Sequence, residues 1–347
     1  MISFPLKIGV VVIGRNEGDH LIRSLDSVVE GSRAVVYVDS GSTDGSVVIA
    51  QERGVEVVDL DMSVPFTAAR ARNAGFERLR SQHPEVEYVQ FIDGDCEVIE
   101  GWLEAAAETL DANPEVVAVC GWRRERHPER SIYNRICDVE WRMGSVGTTL
   151  SFGGDVMIRA EALAAVRGYD SSVIAAEDDE LSVRLRQTNG KLLRIDWDST
   201  RHDADLHSAS QWWQRAKRCG YAYAQVSQMH GAPPERKFIK EVWRTWIWGV
   251  FVPLGALALT PSTHGLSWIA FGRYPLTVLQ VVFNTRRQGF SWSDSLAWGL
   301  SCGASVFPEA VGTVKFHLNR LRNKQHEIIE YKGHQAPVIE AIQTIGR

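Results

Sequence analysis

The sequence lacks the features that mark several common classes of protein. Its five cysteines are scattered through 347 residues without a CxxC pair or zinc-ligand spacing, so neither a zinc motif nor a disulfide framework is indicated. We expect reduced thiols in a cytosolic compartment. The N-terminus has no basic segment followed by a long apolar run and a cleavage site, so no signal peptide is expected. The net charge of −5 gives no basic field that would favour nucleic acid.

Charged residues are also missing from part of the C-terminal region. Residues 245–272 contain no Asp, Glu, Lys or Arg, and two apolar stretches, 246–260 and 266–284, are separated by a Pro-Ser-Thr-His-Gly segment. Basic residues flank the region on both sides, which places both ends in the cytoplasm if the region meets a membrane. Four tryptophans resemble the aromatic anchors of membrane interfaces: Trp243, Trp246, Trp248 and Trp268. We expect 236–347 to be a hydrophobic helical region at the cytoplasmic face of the membrane, with a soluble helical subdomain or a dimer interface as the alternative.

The preceding part of the sequence alternates short β-branched runs with segments of helical periodicity. The predicted strands are residues 8–13, 34–38, 55–60, 88–92, 116–120 and 192–197. The predicted helices are residues 17–29, 45–53, 66–82, 101–110 and 177–187, and residues 123–150 have no clear period. This alternation predicts an α/β fold with a mostly parallel sheet and helices on both faces. In such sheets ligands bind beyond the carboxyl ends of the strands.

The strongest chemical signal follows the fourth predicted strand. Asp93 and Asp95, separated by Gly94, place two carboxylates where a divalent cation could lie between them. Mg²⁺ and Mn²⁺ prefer oxygen ligands and leave positions open for substrate phosphates. Such a metal offsets the charge of a departing diphosphate. Taken alone, Asp-Gly-Asp is equally typical of a turn.

Two polar clusters nearer the N-terminus add to this signal, and each has a structural alternative. Asp39 follows the second strand in the segment Asp-Ser-Gly-Ser-Thr-Asp-Gly. Its carboxylate could bind a base or ribose, or the loop could serve to cap the next helix, with Asp44 as the cap. Arg72 and Asn73 follow Arg70 in a predicted helix, where arginine could bind phosphate oxygens. The alternative is a solvated helix face.

Two further clusters lie after residue 170. Residues 177–180 are four consecutive acids at a predicted helix start, where the helix dipole favours them. Their mutual repulsion raises the proton affinity of at least one carboxylate, and a general base uses such a group. His202 could complete a site begun by carboxylates, although a lone histidine is more often structural.

Taken in order, these clusters resemble the motifs of family 2 glycosyltransferases with the GT-A fold, from about residue 7 to residue 207. The matching segments are VVIGRNE at 11–17, VDSGSTDG at 38–45, ARNAG at 71–75, FIDGD at 91–95, FGGD at 152–155, RGYD at 167–170 and EDDEL at 177–181. The resemblance implies a Rossmann-like GT-A catalytic domain over residues 1–235. It also implies a nucleotide-diphosphate sugar, either a UDP- or a GDP-sugar, as donor and Mg²⁺ or Mn²⁺ as cofactor.

The resemblance further implies a role for each matching residue. The donor-binding residues would be Arg15, Asn16, Glu17, Asp39, Arg70, Arg72, Asn73, Asp93 and Gly94. The metal ligands would be Asp93, Asp95 and His202. The acceptor side would be formed by Gly153, Gly154, Asp155 and Glu177, and Asp178 would be the catalytic base.

The implied reaction is a single in-line displacement. Asp178 takes a proton from an acceptor hydroxyl, which attacks the anomeric carbon with inversion, while the metal and nearby cations stabilise the departing nucleoside diphosphate. A saccharide or lipid-linked acceptor in envelope, exopolysaccharide or glycolipid synthesis is expected. The segment 211–215 departs from the Gln-x-x-Arg-Trp signature of processive synthases, so processive synthesis is not expected.

Two other classes of function compete with this interpretation. A nucleotide-sugar-binding module without catalysis would need no acidic cluster at 177–180. A phosphatase that uses Asp-x-Asp usually has Thr or Val two residues after the second Asp, where this sequence has Glu97.

Overall fold

The computed structural model describes residues 7–324 and Ile329. A nine-stranded sheet forms its centre, in the order β3-β2-β1-β4-β8-β6-β9-β5, with β7 also pairing with β9. The strands are β1 (Ile8–Gly14), β2 (Ala34–Asp39), β3 (Glu56–Asp59), β4 (Tyr88–Asp93), β5 (Cys96–Val98), β6 (Val116–Glu125), β7 (Gly147–Thr149), β8 (Val156–Arg159) and β9 (Lys191–His202).

The predicted parallel pairing is found in the first half of the sheet. Strand β1 pairs in parallel with β2 and β4, and β2 pairs in parallel with β3. The loops that follow Gly14, Asp39 and Asp93 therefore meet at one sheet edge. Beyond β4 the sheet is mixed, because β8 runs antiparallel between β4 and β6. Phe91 pairs with Val156, so the loop that enters β8 lies at the same edge as Asp93.

Twelve α-helices accompany this sheet in the described part of the chain. They are α1 (Asp19–Asp26), α2 (Ser46–Glu52), α3 (Ala68–Gln82), α4 (Trp102–Ala112), α5 (Ile132–Trp141), α6 (Ala160–Ala165), α7 (Glu177–Gln187), α8 (Ala209–His230), α9 (Ile239–Trp246), α10 (Val252–Ala258), α11 (Arg273–Arg287) and α12 (Trp292–Leu321).

Two hydrophobic cores lie on the two faces of the sheet. Because side chains alternate along a strand, Val10 and Val12 of β1 pack with α1, α2 and α4, whereas Val11 and Ile13 pack with α3, α6 and α7. Helix α3 comes so close to β1 that a Cβ atom at Gly75 would lie 2.4 Å from Val11 Cγ1. This packing fixes the helix that carries Arg72 against the strand that leads into the site.

The structure differs from the sequence prediction in residues 123–150. This segment contains helix α5, which Ser131 caps by accepting a hydrogen bond from the Asn134 backbone N–H at 3.0 Å. The strand predicted at 192–197 is also longer than expected and ends at His202, because its last residues pair with both β5 and β6. Because α5 has no long apolar stripe, hydrophobic periodicity did not indicate it. The N-cap serine, Ser131, was the sequence feature that could have done so.

The C-terminal helices pack against the rest of the molecule chiefly through α8 and α12. A Cβ atom at Gly220 would lie 2.0 Å from the carbonyl oxygen of Glu309, and one at Gly312 would lie 2.0 Å from the carbonyl oxygen of Lys217. The hydroxyl of Thr313 donates to the carbonyl of Gly220 at 3.0 Å. Only glycine permits backbones this close, so Gly220 and Gly312 allow α8 and α12 to pack tightly against each other.

The outer surface of this region is apolar. Among the described residues, one helical segment, Leu266–Arg287, has the length and composition to cross a membrane; its mean hydropathy is 1.2 and 6% of the apolar window is buried. The large exposed apolar side chains of this surface include Phe251, Leu254, Ile269, Leu276 and Phe283. An exposed apolar surface of this extent marks an interaction site.

Candidate active site

Arg72 of α3 joins carboxylates from two distant segments. Its Nη2 donates to Asp93 Oδ1 at 2.9 Å, and its Nη1 donates to Glu177 Oε1 at 2.6 Å. The same Nη1 lies 3.8 Å from Asp178 Oδ1. Only 3% of the Arg72 side chain is exposed, and the surrounding carboxylates hold its pKa well above the usual range although burial opposes the charge. The end of β4 and the start of α7 therefore form one site.

The acids of the 177–180 cluster have different partners. Burial raises the pKa of Asp178 well above its usual value, and the charges of Glu177, Asp93 and Asp179 add to this, whereas Arg72 opposes it. Burial also disfavours ionisation of Glu177, but the charges of Arg72 and Arg218 lower its pKa. Of Glu177 and Asp178, Asp178 therefore has the greater affinity for a proton.

The other two acids of the cluster pair with residues other than Arg72. Asp179 Oδ1 accepts a hydrogen bond from Lys237 Nζ at 2.6 Å. Glu180 accepts from Arg184 of its own helix, and its Oε1 lies 2.9 Å from His230 Nε2. Asp178, rather than Asp179, lies beside the end of β4.

Asp95 and His202 meet at the same edge although 107 residues separate them. His202 Nε2 lies 3.0 Å from Asp95 Oδ2. Asp95, Cys96 and His202 offer ligand atoms within 4.8 Å of one another, as do Asp93, Cys96 and Asp155. Burial raises the pKa of the Cys96 thiol, which leaves carboxylate oxygens and an imidazole as the available ligands. Such a set fits a hard divalent cation.

Arg123 of β6 is a charged residue of the site that the sequence analysis did not identify. Its Nε and Nη2 donate to the two carboxylate oxygens of Asp155, both at 2.6 Å, and the Thr200 hydroxyl donates to the same carboxylate. Arg123 Nη2 also lies 3.9 Å from Asp93 Oδ2. Burial disfavours its charge, but Asp155 keeps its pKa above the usual range.

Trp141, at the end of α5, packs against both Arg123 and His202. The guanidinium carbon of Arg123 lies 5.4 Å from the centre of the Trp141 ring, and the Trp141 and His202 ring centroids are 4.7 Å apart. The indole therefore orients both a cation and a candidate metal ligand. Sequence reasoning missed Trp141 because it lies in the segment that showed no periodicity.

Of the predicted acceptor residues, Gly154 has the most constrained position. A Cβ atom there would lie 2.7 Å from Arg72 Nη2 and 3.3 Å from Asp93 Oδ2, so the glycine permits the Arg72–Asp93 contact. Gly153 is exposed, and a Cβ atom there would meet nothing within 4 Å. Asp155, also predicted on the acceptor side, has a buried carboxylate that is paired with Arg123 and Thr200. Glu177 is likewise buried against Arg72.

The predicted nucleoside-binding residues form a connected pair of loops at the same edge. Asn16 adopts a positive φ of 57°; its N–H donates to Ser42 Oγ at 2.9 Å, and its Oδ1 accepts from the Thr43 N–H at 2.7 Å. Asp39 Oδ2 accepts from the backbone N–H groups of Gly41 and Ser42. The Asn16 side chain and backbone thus join the loop after β1 to the loop after β2, and the Asp39 side chain holds the second loop in its conformation.

The remaining residues of the first loop lie beside this pair. Arg15 is exposed, and Glu17 packs over two glycines, since Cβ atoms at Gly14 and Gly94 would lie 2.8 and 2.9 Å from Glu17 Cγ. The Gly94 N–H donates to the Ile13 carbonyl at 2.7 Å. Glu17 therefore occupies the space between the ends of β1 and β4.

Two residues predicted to bind donor are hydrogen-bonded to neighbouring loops. Arg70 donates to the backbone carbonyls of Asp61, Val64 and Pro65, at 2.8 to 2.9 Å. Asn73 exchanges two hydrogen bonds with the backbone of Tyr169, both at 2.8 Å. Because loop carbonyls and N–H groups need partners, these side chains stabilise neighbouring loops.

The glycosyl transferase family 2 model matches residues 9–169, the segment that supplies β1, Arg72, Asp93 and Asp95. The match covers just under half of the chain, and residues 9–169 are similar to that family. The structural comparison below shows a GT-A fold.

Three known proteins are similar to this chain. A mannosyltransferase from Pyrobaculum calidifontis, solved with GDP-Man and Mn²⁺, superposes with a TM-score of 0.60 at 18% identity, over 89% of this chain and 87% of that one. The succinoglycan biosynthesis protein ExoA of Rhizobium meliloti is 24% identical over 287 residues, covering 76% of this chain and 86% of ExoA. A TPR repeat-containing protein of Synechococcus elongatus is 29% identical over 131 residues, covering 38% of this chain and 30% of that protein.

Proposed function

We propose that this chain is an inverting, divalent-metal-dependent glycosyltransferase that uses a nucleotide-diphosphate sugar. The observation that supports it most is the junction at Arg72, which brings Asp178, a buried carboxylate with a raised pKa, beside Asp93. A general base beside a donor-binding edge is what transfer to a hydroxyl requires. The GDP-Man and Mn²⁺ bound to the structurally similar mannosyltransferase support a nucleotide-sugar donor and a metal.

The charges of the site favour a cation. Five carboxylates (Asp93, Asp95, Asp155, Glu177 and Asp178) lie near the guanidinium groups of Arg72 and Arg123. Even with the charge of Arg218 acting on Glu177, the carboxylates outnumber these cations. We propose that Asp95 and His202, with Asp93 beside them, would hold Mn²⁺ or Mg²⁺. When bound, this ion would neutralise charge on the diphosphate of the donor.

In the proposed reaction, the Asp178 carboxylate accepts the proton of an acceptor hydroxyl. Its Oδ1 has no hydrogen-bond partner among the described residues, and 15% of the side chain is exposed, so an acceptor hydroxyl can donate to this carboxylate. The acceptor oxygen forms a bond to the anomeric carbon as the bond from that carbon to the diphosphate breaks. Its electron pair goes to the leaving oxygen, and the configuration inverts.

A donor screen tests this function. The purified full chain is incubated with UDP- and GDP-sugars and a membrane extract as acceptor source, with Mn²⁺, Mg²⁺ or EDTA, and nucleoside diphosphate release is measured. We expect metal-dependent release with at least one donor. Donor binding without release or transfer would instead favour the second candidate, a nucleotide-sugar-binding module without catalysis.

We further propose that residues 236–347 attach the catalytic part, residues 1–235, to the cytoplasmic face of a membrane. The apolar surface of α10 and α11 is exposed, and basic residues flank this region in the sequence. These are Arg236, Lys237, Lys240 and Arg244 before it and Lys315, Arg320, Arg322 and Lys324 after it. Clusters of basic residues beside a membrane segment are attracted to anionic lipids. A saccharide or lipid-linked acceptor at that surface is supported by the similarity to ExoA, a succinoglycan biosynthesis protein, which also favours a role in envelope or exopolysaccharide synthesis.

Vesicle flotation tests the attachment. We expect the chain to float with vesicles containing phosphatidylglycerol, and to float less when Ile269 and Leu276, exposed by 75% and 55%, are changed to glutamate. Retention of both variants and wild type in the soluble fraction without detergent would contradict the proposal.

A further inference from the structure

We propose that Arg123 is the side-chain cation that binds the β-phosphate of the donor and stabilises it as it leaves. This inference rests on the proposed function and assigns the diphosphate to a residue that none of the sequence motifs contains. It is carried by three features of Arg123: its fixed orientation, its remaining hydrogen-bonding capacity, and its position among the metal-site residues.

The orientation of Arg123 is fixed from two sides. Asp155 accepts two hydrogen bonds from one edge of the guanidinium, both at 2.6 Å, and only 4% of the Asp155 side chain is exposed. The face of the guanidinium lies against Trp141. A bidentate carboxylate and an aromatic face together hold an arginine in one geometry.

The second edge of the guanidinium is available to a ligand. Arg123 Nη1 makes no hydrogen bond with the residues that the structure describes, and 19% of the side chain is exposed. Nη2 lies 3.9 Å from Asp93 Oδ2, and a Cβ atom at Gly154 would be 3.5 Å from Nη2. The open edge therefore lies at the sheet edge where Asp93 and Asp95 end β4.

The other arginines of the region are committed elsewhere. Arg72 is 3% exposed and neutralises Asp93 and Glu177, while Arg70 is hydrogen-bonded to loop carbonyls. Arg124 follows Arg123 on β6 but pairs with Asp198 at 2.8 Å. Arg123 is thus the arginine of β6 and α3 that is both fixed and partly open at the site.

The chemistry requires such a group. As the bond between the anomeric carbon and the diphosphate breaks, its electron pair adds negative charge to the β-phosphate oxygen. A preoriented guanidinium stabilises this charge without reorganising. The proton of the acceptor goes to Asp178, so Arg123 remains charged throughout.

The ratio of the nucleoside monophosphate Kd to the nucleoside diphosphate Kd reports on the contact between Arg123 and the β-phosphate. We would measure Kd for GDP, GMP, UDP and UMP by calorimetry at saturating Mn²⁺, using the full chain. The test variant is the double substitution Arg123→Gln with Asp155→Asn, which leaves no buried carboxylate unpaired. The matched control is Arg124→Gln with Asp198→Asn, which neutralises the adjacent ion pair of the same two strands.

We expect the ratio of monophosphate to diphosphate Kd to fall about tenfold to a hundredfold in the Arg123 variant, the range for a lost hydrogen bond to a charged group. It should stay within about twofold in the control, where two neutral amides replace an exposed pair. Arg123→Lys provides a second test, because its single ammonium is used by Asp155 and its ratio should fall as well. A purely structural role would change monophosphate and diphosphate affinities together.

Wild-type diphosphate preference in a folded Arg123 variant, or in Arg123→Lys, would overturn the assignment and leave the proposed function intact. Failure of the wild-type chain to bind any of the four nucleotides would overturn the proposed function together with it.

Discussion

The carboxylate of Asp178 lies 3.8 Å from Arg72 Nη1, but the short hydrogen bond of that nitrogen, at 2.6 Å, goes to Glu177 instead. Asp178 thus lies within the field of a cation without a hydrogen bond from it. Its Oδ1 is buried and has no hydrogen-bond donor in the described part of the chain. This combination keeps a carboxylate basic in the interior of the site.

Asp178→Asn should abolish transfer while donor binding persists. The amide cannot accept the acceptor proton as a base, and loss of a general base costs about 10² to 10⁴ in rate. Nucleoside diphosphate Kd should stay within about threefold of wild type, because Arg72 and Asp93 remain in place. Asp179→Asn, which removes the partner of Lys237, is the matched control. Full transfer by the Asp178 variant would remove this residue from the base role.

The same substitution should stabilise the protein at neutral pH. Because burial raises the pKa of Asp178 in the folded chain, ionising it costs folding free energy above its unfolded pKa of about 3.9. The cost is absent below that value and grows as pH rises toward the folded pKa. Melting temperatures of Asp178→Asn and wild type, measured without metal or nucleotide, should therefore diverge from pH 4 to pH 8. A constant difference would contradict the raised pKa.

Removal of either member of the Asp95–His202 pair should weaken metal binding. Asp95→Ala and His202→Ala each delete a ligand atom of the cluster, and we expect the Mn²⁺ concentration for half-maximal activity to rise at least about tenfold to a hundredfold. His207→Ala removes an exposed histidine that is paired with Asp205 at 2.8 Å, and serves as the control. Equal Mn²⁺ dependence in all three variants would place the metal elsewhere.

Gly154→Ala should destabilise the site through one added methyl group. Its Cβ would meet Arg72 Nη2 at 2.7 Å, so the buried ion pair with Asp93 must shift. We expect a loss of about 1–3 kcal/mol in unfolding free energy and reduced donor affinity. The comparison variant for stability is Gly153→Ala, because a Cβ atom there would meet nothing within 4 Å. Equal denaturant midpoints for the two variants would show that the close approach is not constraining.

Asn73→Ala should affect stability more than donor binding. Two hydrogen bonds with the Tyr169 backbone are lost, which costs about 1–3 kcal/mol. Urea unfolding measures this loss, and calorimetry with GDP and UDP measures donor affinity. A large fall in affinity with unchanged stability would instead support the donor contact that the sequence motif implied.

The sequence predicted those parts of the site that lie directly after strands or at a helix start. Asp93 and Asp95 follow an apolar strand, and the acids at 177–180 begin α7, so local pattern located them. Arg123 and Trp141 could not be located in this way. Two adjacent arginines occur in β6, and only the packing of Asp155 and Trp141 distinguishes Arg123 from Arg124.

Arg70 and Asn73 make contacts that their motif did not indicate. Their residue types suit phosphate binding, and the motif that contains them includes Arg72, which does lie in the site. Their side chains donate hydrogen bonds to backbone carbonyls in residues 61–65 and at residue 169. Which backbone groups of a loop need a side-chain partner depends on the conformation of the loop, and sequence spacing does not specify that conformation.

The close backbone contact between α8 and α12 has a consequence for truncation of the chain. Gly220 and Gly312 pack against backbone carbonyls of the opposite helix. Helix α12 also contacts α5 through an ion pair from Arg135 to Asp294 at 2.6 Å. Truncation after α8 would therefore remove a helix that supports α5, the helix that ends in Trp141. The C-terminal helices thus stabilise the candidate site, and a fragment without them should hold Trp141 less firmly.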